Sequence, residues 1–174
     1  QIIDPNDYEI GKFIGKGGFG VVFLAKDKKN GDREVAFKII PDLFDAENVK
    51  HHQSILREIS IPSHLELPGI VNHLGFRFPL TDEQKKDVTL TKPFEFVDFR
   101  GTRQHLDLSG AIIVSEYMPN GSLERYTAEY IKNNGISRLL TPTIRSKILF
   151  GVAATMKRLH SVDIVHRDLK LENI

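Results

Sequence analysis

The stretch that most constrains this chain is residues 8–40. Three short β-branched and aromatic runs, "YEIGKFIG", "VVFLAKD" and "EVAFKII", follow one another there. Such runs suit pleated, half-buried strands. Asn30-Gly31, between the second and third, is a strong hairpin signal. The spacing predicts a three-stranded antiparallel meander.

Inside this meander, "IGKGGFGVVFLAK" places Gly15, Gly17 and Gly20 in a GxGxxG pattern. The same pattern opens dinucleotide-binding folds, where a strand leads through the glycines into a helix. Here Val21, Val22, Phe23 and Leu24 follow, a run poorly suited to a helix. The dinucleotide reading fails on that context. A glycine-rich hairpin remains, whose backbone amides can approach phosphate oxygens with no Cβ in the way. The plain alternative is a flexible turn without a ligand.

Residues 45–61 change period. Val49, Leu56 and Ile59 recur at helical spacing, and Pro62 ends or kinks that helix. "GIVNHLGFRF" (69–78) and "GAIIVSEYM" (110–118) read as strands. The segment between them is long for a connection in a compact domain. "FEFVDF" within it suits an extra strand or hairpin, and the segment as a whole reads as a surface insertion or a docking element. The last third is helical. Ser122 is a candidate N-cap, and Thr141-Pro142 gives a cap followed by proline at the first helical position. Ile144, Ile148, Leu149, Val152, Met156 and Leu159 then form one stripe, expected to be core.

Composition removes several classes. Lys plus Arg is 24 and Asp plus Glu is 23, a net charge of +1. That balance argues against a nucleic-acid binder working by bulk charge. Without cysteine there is no disulfide scaffold, thiolate zinc site or catalytic thiol. No apolar run approaches a membrane span, and no signal-peptide pattern opens the chain. A cytoplasmic location is the expectation. The start at Gln1 rather than Met suggests processing or a piece of a larger protein.

Two further features carry chemistry. Lys38 lies on the third strand, where a lysine is costly to bury unless paired. Glu58, on the helix that follows, is its natural partner. Two unit charges ~4 Å apart attract by about 4 kcal/mol at an effective dielectric of about 20. The plain alternative is a surface lysine whose stem covers the sheet edge. The chain closes on "HRDLKLENI", in which Asp168 and Asn173 stand five apart with Lys170 between them.

Taken in order, "GKGGFGVV", "VAFK", "REI" and "HRDLKLEN" make this chain resemble the eukaryotic protein kinase domain. The resemblance runs over nearly the whole chain. It implies an α+β, bilobal fold: a five-stranded antiparallel N-lobe sheet plus one helix over residues 1–118, with 79–109 as an insertion between the fourth and fifth strands. Residues 119–174 would be the first helices of an α-helical C-lobe, ending in the catalytic loop.

The resemblance also implies an ATP- and Mg²⁺-dependent kinase acting on a protein Ser/Thr hydroxyl. Asp168 would accept the hydroxyl proton, Lys170 would neutralise phosphate charge, and Asn173 would hold Mg²⁺ through its side-chain oxygen. Lys38, held by Glu58, would grip the α- and β-phosphates beneath the loop of Gly15, Gly17 and Gly20. Val22 and Ala36 would cover the adenine, Ile14 would belong to the same nucleotide site, and Glu116 and Met118 would bind the adenine through their backbone. Ser115 falls at the gatekeeper position, and so small a residue there implies a roomy back pocket. "HRDLK" resembles serine/threonine kinases, and the hinge with its "NGSL" continuation resembles the tyrosine-kinase-like group. Arg167 suggests a kinase whose activation loop is phosphorylated. His166 reads as structural, and His51 and His52 as solvated helix surface.

Three departures stand against that pattern. The sequence stops at Ile174, before the DFG and APE motifs, so the expectation is a fragment that transfers phosphate poorly by itself. Pro62 stands where the family has a large apolar residue, and residues 79–109 are inserted. If the end is real, the alternative is a pseudokinase-like module that binds nucleotide or scaffolds a partner. A kinase acting on a small molecule is the third reading, which "HRDLK" and the hinge disfavour.

Overall fold

The computed structural model describes residues 1–17, 20–41, 67–134 and 141–174. The chain divides into two compact units, one of Gln1–Leu65 and Val71–Tyr117, the other of Glu66–Ile70 and Met118–Ile174.

The first unit is built on the expected meander. β1 (Tyr8–Gly17), β2 (Gly20–Asp27) and β3 (Arg33–Ile40) pair antiparallel in sequence order. β4 (His73–Arg77) and β7 (Ala111–Glu116) complete a five-stranded sheet in the order β1-β2-β3-β7-β4, as the kinase resemblance implies. The β2–β3 turn is longer than Asn30-Gly31 suggests. A 3-10 turn at Lys28–Asn30 precedes Gly31 and Asp32, both at positive φ. Asp27 organises it, accepting from the Lys29 amide at 3.2 Å and the Asn30 side chain at 2.7 Å.

Alternation along the strands splits the sheet into two faces. Phe23, Ala25, Val35, Phe37, Ile39, Ile112 and Val114 are buried on the outer face in one apolar cluster. The inner face carries Val22, Leu24, Ala36 and Lys38, all partly exposed.

The inserted segment is no loose surface decoration. After a short helix α1 (Val88–Thr91), β5 (Phe94–Val97) and β6 (Arg103–Leu106) form a separate hairpin. Phe94, Phe96 and Leu106 pack against the outer-face cluster. Phe96 stands 5.0 Å from Phe23 and 5.2 Å from Phe13, ring centre to ring centre. Arg77 anchors the far end of the insertion, donating from its guanidinium to the carbonyls of Leu108 and Gly110. Burial draws the Arg77 pKa down, against the pull of Asp4 and Asp107. The N-terminal residues run along the free side of β4. The Ile3 amide donates to the Phe76 carbonyl at 3.0 Å, and the Phe76 amide to the Gln1 carbonyl at 2.9 Å.

The second unit holds α2 (Leu123–Asn134) and α3 (Pro142–His160). Both expected caps form. Ser122 Oγ accepts from the Arg125 amide and Thr141 Oγ1 from the Ile144 amide, each at 3.3 Å. The expectation of a buried α3 stripe is corrected. Leu159 is buried, but Ile144 is 46% exposed and Leu149 69%. A helix face is buried only where another layer stands on it. At the end of α3 Arg158 donates to the Pro68 carbonyl at 3.2 Å. The helix expected at 45–61, with Pro62, His51 and His52, lies outside the described residues.

Candidate active site

In the second unit, α3 ends at His160 and the chain doubles back, with the Ile164 amide donating to the Leu159 carbonyl at 3.0 Å. Residues 166–173 then fold on themselves. Asn173 donates its side-chain amide twice, to the Asp168 carbonyl at 2.8 Å and to Asp168 Oδ2 at 2.9 Å. Lys170 Nζ stands 3.3 Å from the same Oδ2. A 3-10 turn over Leu171–Asn173 sets the spacing, closed by the Asn173 amide on the Lys170 carbonyl at 2.9 Å. Arg167 takes a left-handed backbone, φ 65°. That conformation costs about 1–2 kcal/mol for a residue other than glycine, and such strain gathers at functional sites.

The chemistry of this arrangement follows from which atoms are engaged. Asp168 Oδ2 is held by an amide and an ammonium, while among the described residues no donor reaches Oδ1. A positioned carboxylate oxygen remains, suited to taking a proton. The Asp168–Lys170 pair is exposed and adds at most about 1 kcal/mol to stability. Its consequence is placement of charge. Asn173 has its nitrogen turned to Asp168, so its Oδ1 is the atom it has for a cation. The His166 ring accepts from the Asp168 amide at 3.4 Å, in keeping with a backbone-shaping role.

In the first unit, strand register gathers the other candidates on the inner face. Val22 is paired with Lys38, and Lys38 with Ile113. Leu24 is paired with Ala36, and Ala36 with Ser115. Val22, Ala36 and Lys38 therefore share one surface. Ile14 and Gly15 lie on β1, and Gly17 pairs with Gly20 where the glycine hairpin closes. The glycines differ in cause. A Cβ on Gly20 would meet the Ile39 carbonyl oxygen at 2.5 Å, so β3 itself requires glycine there. Among the described residues a Cβ on Gly15 would meet nothing within 4 Å. Glu116 is tied to Asn72 by two bonds. Its amide donates to the Asn72 carbonyl at 3.0 Å, and its Oε1 accepts from the Asn72 amide at 2.7 Å. A base could therefore use the Glu116 carbonyl but not its N–H. Met118 follows in a turn, its carbonyl accepting from the Gly121 amide at 3.1 Å. Glu58 lies outside the described residues.

Sequence reasoning missed His73. Its Nδ1 lies 2.8 Å from Ser115 Oγ, so the small residue at position 115 has an imidazole beside it. The available signal was Gly75, since a lone glycine in a strand pattern often marks a bulge.

The fold and this loop define a domain of the protein kinase type. The family description "Protein kinase domain" matches residues 8–174, and the chain belongs to that family. Similar proteins include Aurora/IPL1-related protein kinase 2 of Caenorhabditis elegans, 28% identical over 97% of this chain and 43% of its own length. Mitogen-activated protein kinase 14 of Oryza sativa subsp. japonica is 32% identical over 98% of this chain and 25% of its own. The Aurora kinase of Dictyostelium discoideum is 28% identical over 97% and 34%. The chain thus spans less than half the length of these relatives. Their names add nothing to the narrower likeness to the tyrosine-kinase-like group. Kinase domains use ATP and divalent metal. Among the described residues no group of three or more His, Cys, Asp or Glu could hold a metal, and no helix is long and apolar enough to cross a membrane.

Proposed function

We propose that this chain carries the nucleotide-gripping and transfer elements of a serine/threonine protein kinase. The observation that carries the reading is the Asp168 carboxylate, fixed at Oδ2 by Asn173 and Lys170 and open at Oδ1. A serine or threonine hydroxyl is a weak nucleophile and needs a base placed at its proton. Asp168 Oδ1 takes that proton as the hydroxyl oxygen bonds to the γ-phosphorus. The bond to the bridging oxygen breaks, leaving ADP and a phosphoester. Lys170 sets positive charge beside the transferring group, where it counts most in the transition state.

On the sheet, Lys38 holds the α- and β-phosphates and Glu58 orients it. Gly15 and Gly17 admit the phosphates to backbone amides. Ile14, Val22 and Ala36 cover the adenine, whose edge is met by the Glu116 carbonyl and the Met118 amide. One oxygen, Asn173 Oδ1, is present for Mg²⁺, which commonly takes one or two protein ligands and completes its shell with phosphate and water. Bound with the nucleotide, Mg²⁺ would draw charge from the phosphates. The partners are ATP and a protein bearing Ser or Thr, with no nucleic acid. A chain without cysteine accords with the cytoplasm.

The test is transfer from γ-labelled ATP to a peptide library by the full-length protein. Phosphoserine and phosphothreonine should form, and Asp168→Asn should lower the rate about 10²–10⁴-fold while nucleotide still binds. Labelling of tyrosine alone would refute the acceptor. Nucleotide binding without transfer would favour a pseudokinase-like module.

A further inference from the structure

The inserted hairpin reaches the glycine-rich end of β1, and register shows why that end needs a support. Ile10 pairs with Ala25, Phe13 with Phe23 and Gly15 with Val22, and the register shifts on both sides of Phe13. Over this stretch β1 takes two more residues than β2. Each such bulge disrupts the ladder and bends its strand, so backbone pairing alone fixes the path of β1 less firmly here. The two shifts also decide which residues meet. Phe13 falls in the outer row with Phe23, Phe37 and Val114. Gly15 falls in the inner row with Val22, Lys38 and Ile113. Where Phe13 is seated therefore decides where Gly15 stands relative to Lys38.

Phe13 is 7% exposed, and part of its cover comes from the insertion. Phe99 lies in the turn between β5 and β6, its ring centre 4.6 Å from that of Phe13. The turn holds it there. Asp98 Oδ1 accepts from the Arg100 and Thr102 amides, and the Asp98 amide donates to the Thr102 carbonyl at 3.0 Å. Phe99 is itself 67% exposed, so it gains little from burial of its own. What it does is complete the cover over Phe13 that Phe96 begins. We infer that Phe99 is a positioning residue for the nucleotide. By seating Phe13 it holds the doubly bulged end of β1, and so keeps Gly15 in the row of Lys38 to meet phosphate. This rests on the assignment of Gly15 and Lys38 to the phosphates made above.

Amide exchange in the nucleotide-free, full-length protein, with titrations of ATP and adenosine, tests it. In Phe99→Ala the amides from Phe13 to Lys16 should exchange faster while those of β3 keep their rates. ATP should bind about 2- to 10-fold more weakly, the range that one aromatic contact spans. Adenosine, which has no phosphate, should lose less. Phe99→Leu should change both readouts in the same direction, Phe99→Tyr should restore them, and Val97→Ala on the same hairpin should alter neither. The inference is overturned if ATP and adenosine weaken by the same factor, if ATP binding is unchanged, if exchange from Phe13 to Lys16 is unchanged, or if tyrosine fails to rescue. It is also overturned if neither the alanine nor the leucine variant folds, since Phe99 would then be purely structural. A wild type that binds no ATP overturns the nucleotide assignment and this inference with it, whereas equal losses of ATP and adenosine overturn the inference alone.

Discussion

Replacing Phe96 by alanine distinguishes a hairpin that belongs to the core of the first unit from one that merely decorates it. Phe96 lies on β5 with its ring 5.0 Å from Phe23, 5.2 Å from Phe13 and 6.4 Å from Phe94. Phe23 is fully buried and Phe13 nearly so. Truncating a fully buried phenylalanine costs about 3–5 kcal/mol. Phe96 is only partly buried, which scales the expectation to about 1.5–3 kcal/mol. Part of that is the edge-on contact with Phe23, worth about 0.5–1.5 kcal/mol. In a chain of this length each kcal/mol moves the midpoint by roughly 2–4 °C, so Phe96→Ala should lower it by roughly 3–12 °C. The control is Val97→Ala, one residue along and 55% exposed, which should change stability by less than about 0.5 kcal/mol. Thermal melts followed by circular dichroism, with urea titrations alongside, give both values. Equal, small losses for the two variants would refute the claim that the hairpin completes the outer-face core.

Gly20→Ala should destabilise the first unit by about 1–3 kcal/mol, because its Cβ would press on the Ile39 carbonyl. Gly15→Ala should leave the melt unchanged and weaken ATP binding; a matched loss of stability would remove the ligand rationale for Gly15. Asp98 accepts from the amides of Thr102 and Arg100, each at 2.9 Å, and from Gln104 at 3.3 Å. The Thr102 amide foremost holds its carboxyl below the usual aspartate range. Its contribution is therefore present above the ordinary value of about 3.9 and is lost as pH falls through the lowered one. Protection of the Thr102 amide, taken relative to its intrinsic exchange rate, should fall only in that acid window, and Asp98→Asn should abolish the dependence. In residues 1–174 by themselves, the N-terminal turns of α3 should exchange faster than the turn at Leu159, since Leu149 and Phe150 are exposed. Uniform protection along α3 would contradict this.

What the sequence disclosed depended on how local each cause is. The meander was legible because alternation and turn residues act within a few positions. The contacts of the closing loop were legible for the same reason, since Asp168, Lys170 and Asn173 reach each other within six residues. The α3 stripe was not, because periodicity says which face is apolar and nothing about what stands opposite. The packing of β5 and β6 was missed on similar grounds. Phe94 and Phe96 alternate with Glu95 and Val97 as a half-buried strand should, but their burial depends on an open sheet face elsewhere. His73 and Ser115 are 42 residues apart and meet only because Leu74 bulges.

The way Gln1 to Ile3 run beside β4 has a consequence for self-association. β4 is the last strand of the five-stranded sheet, and an outermost strand with unmet amides and carbonyls is a template for any extended chain. The bonds from Ile3 to Phe76 and from Phe76 to Gln1 occupy that template. Gln1 to Ile3 thereby cover part of the rim along which another extended chain could pair. Removing them would also take Ile3 out of the apolar cluster, so the bared rim would come with a weakened core.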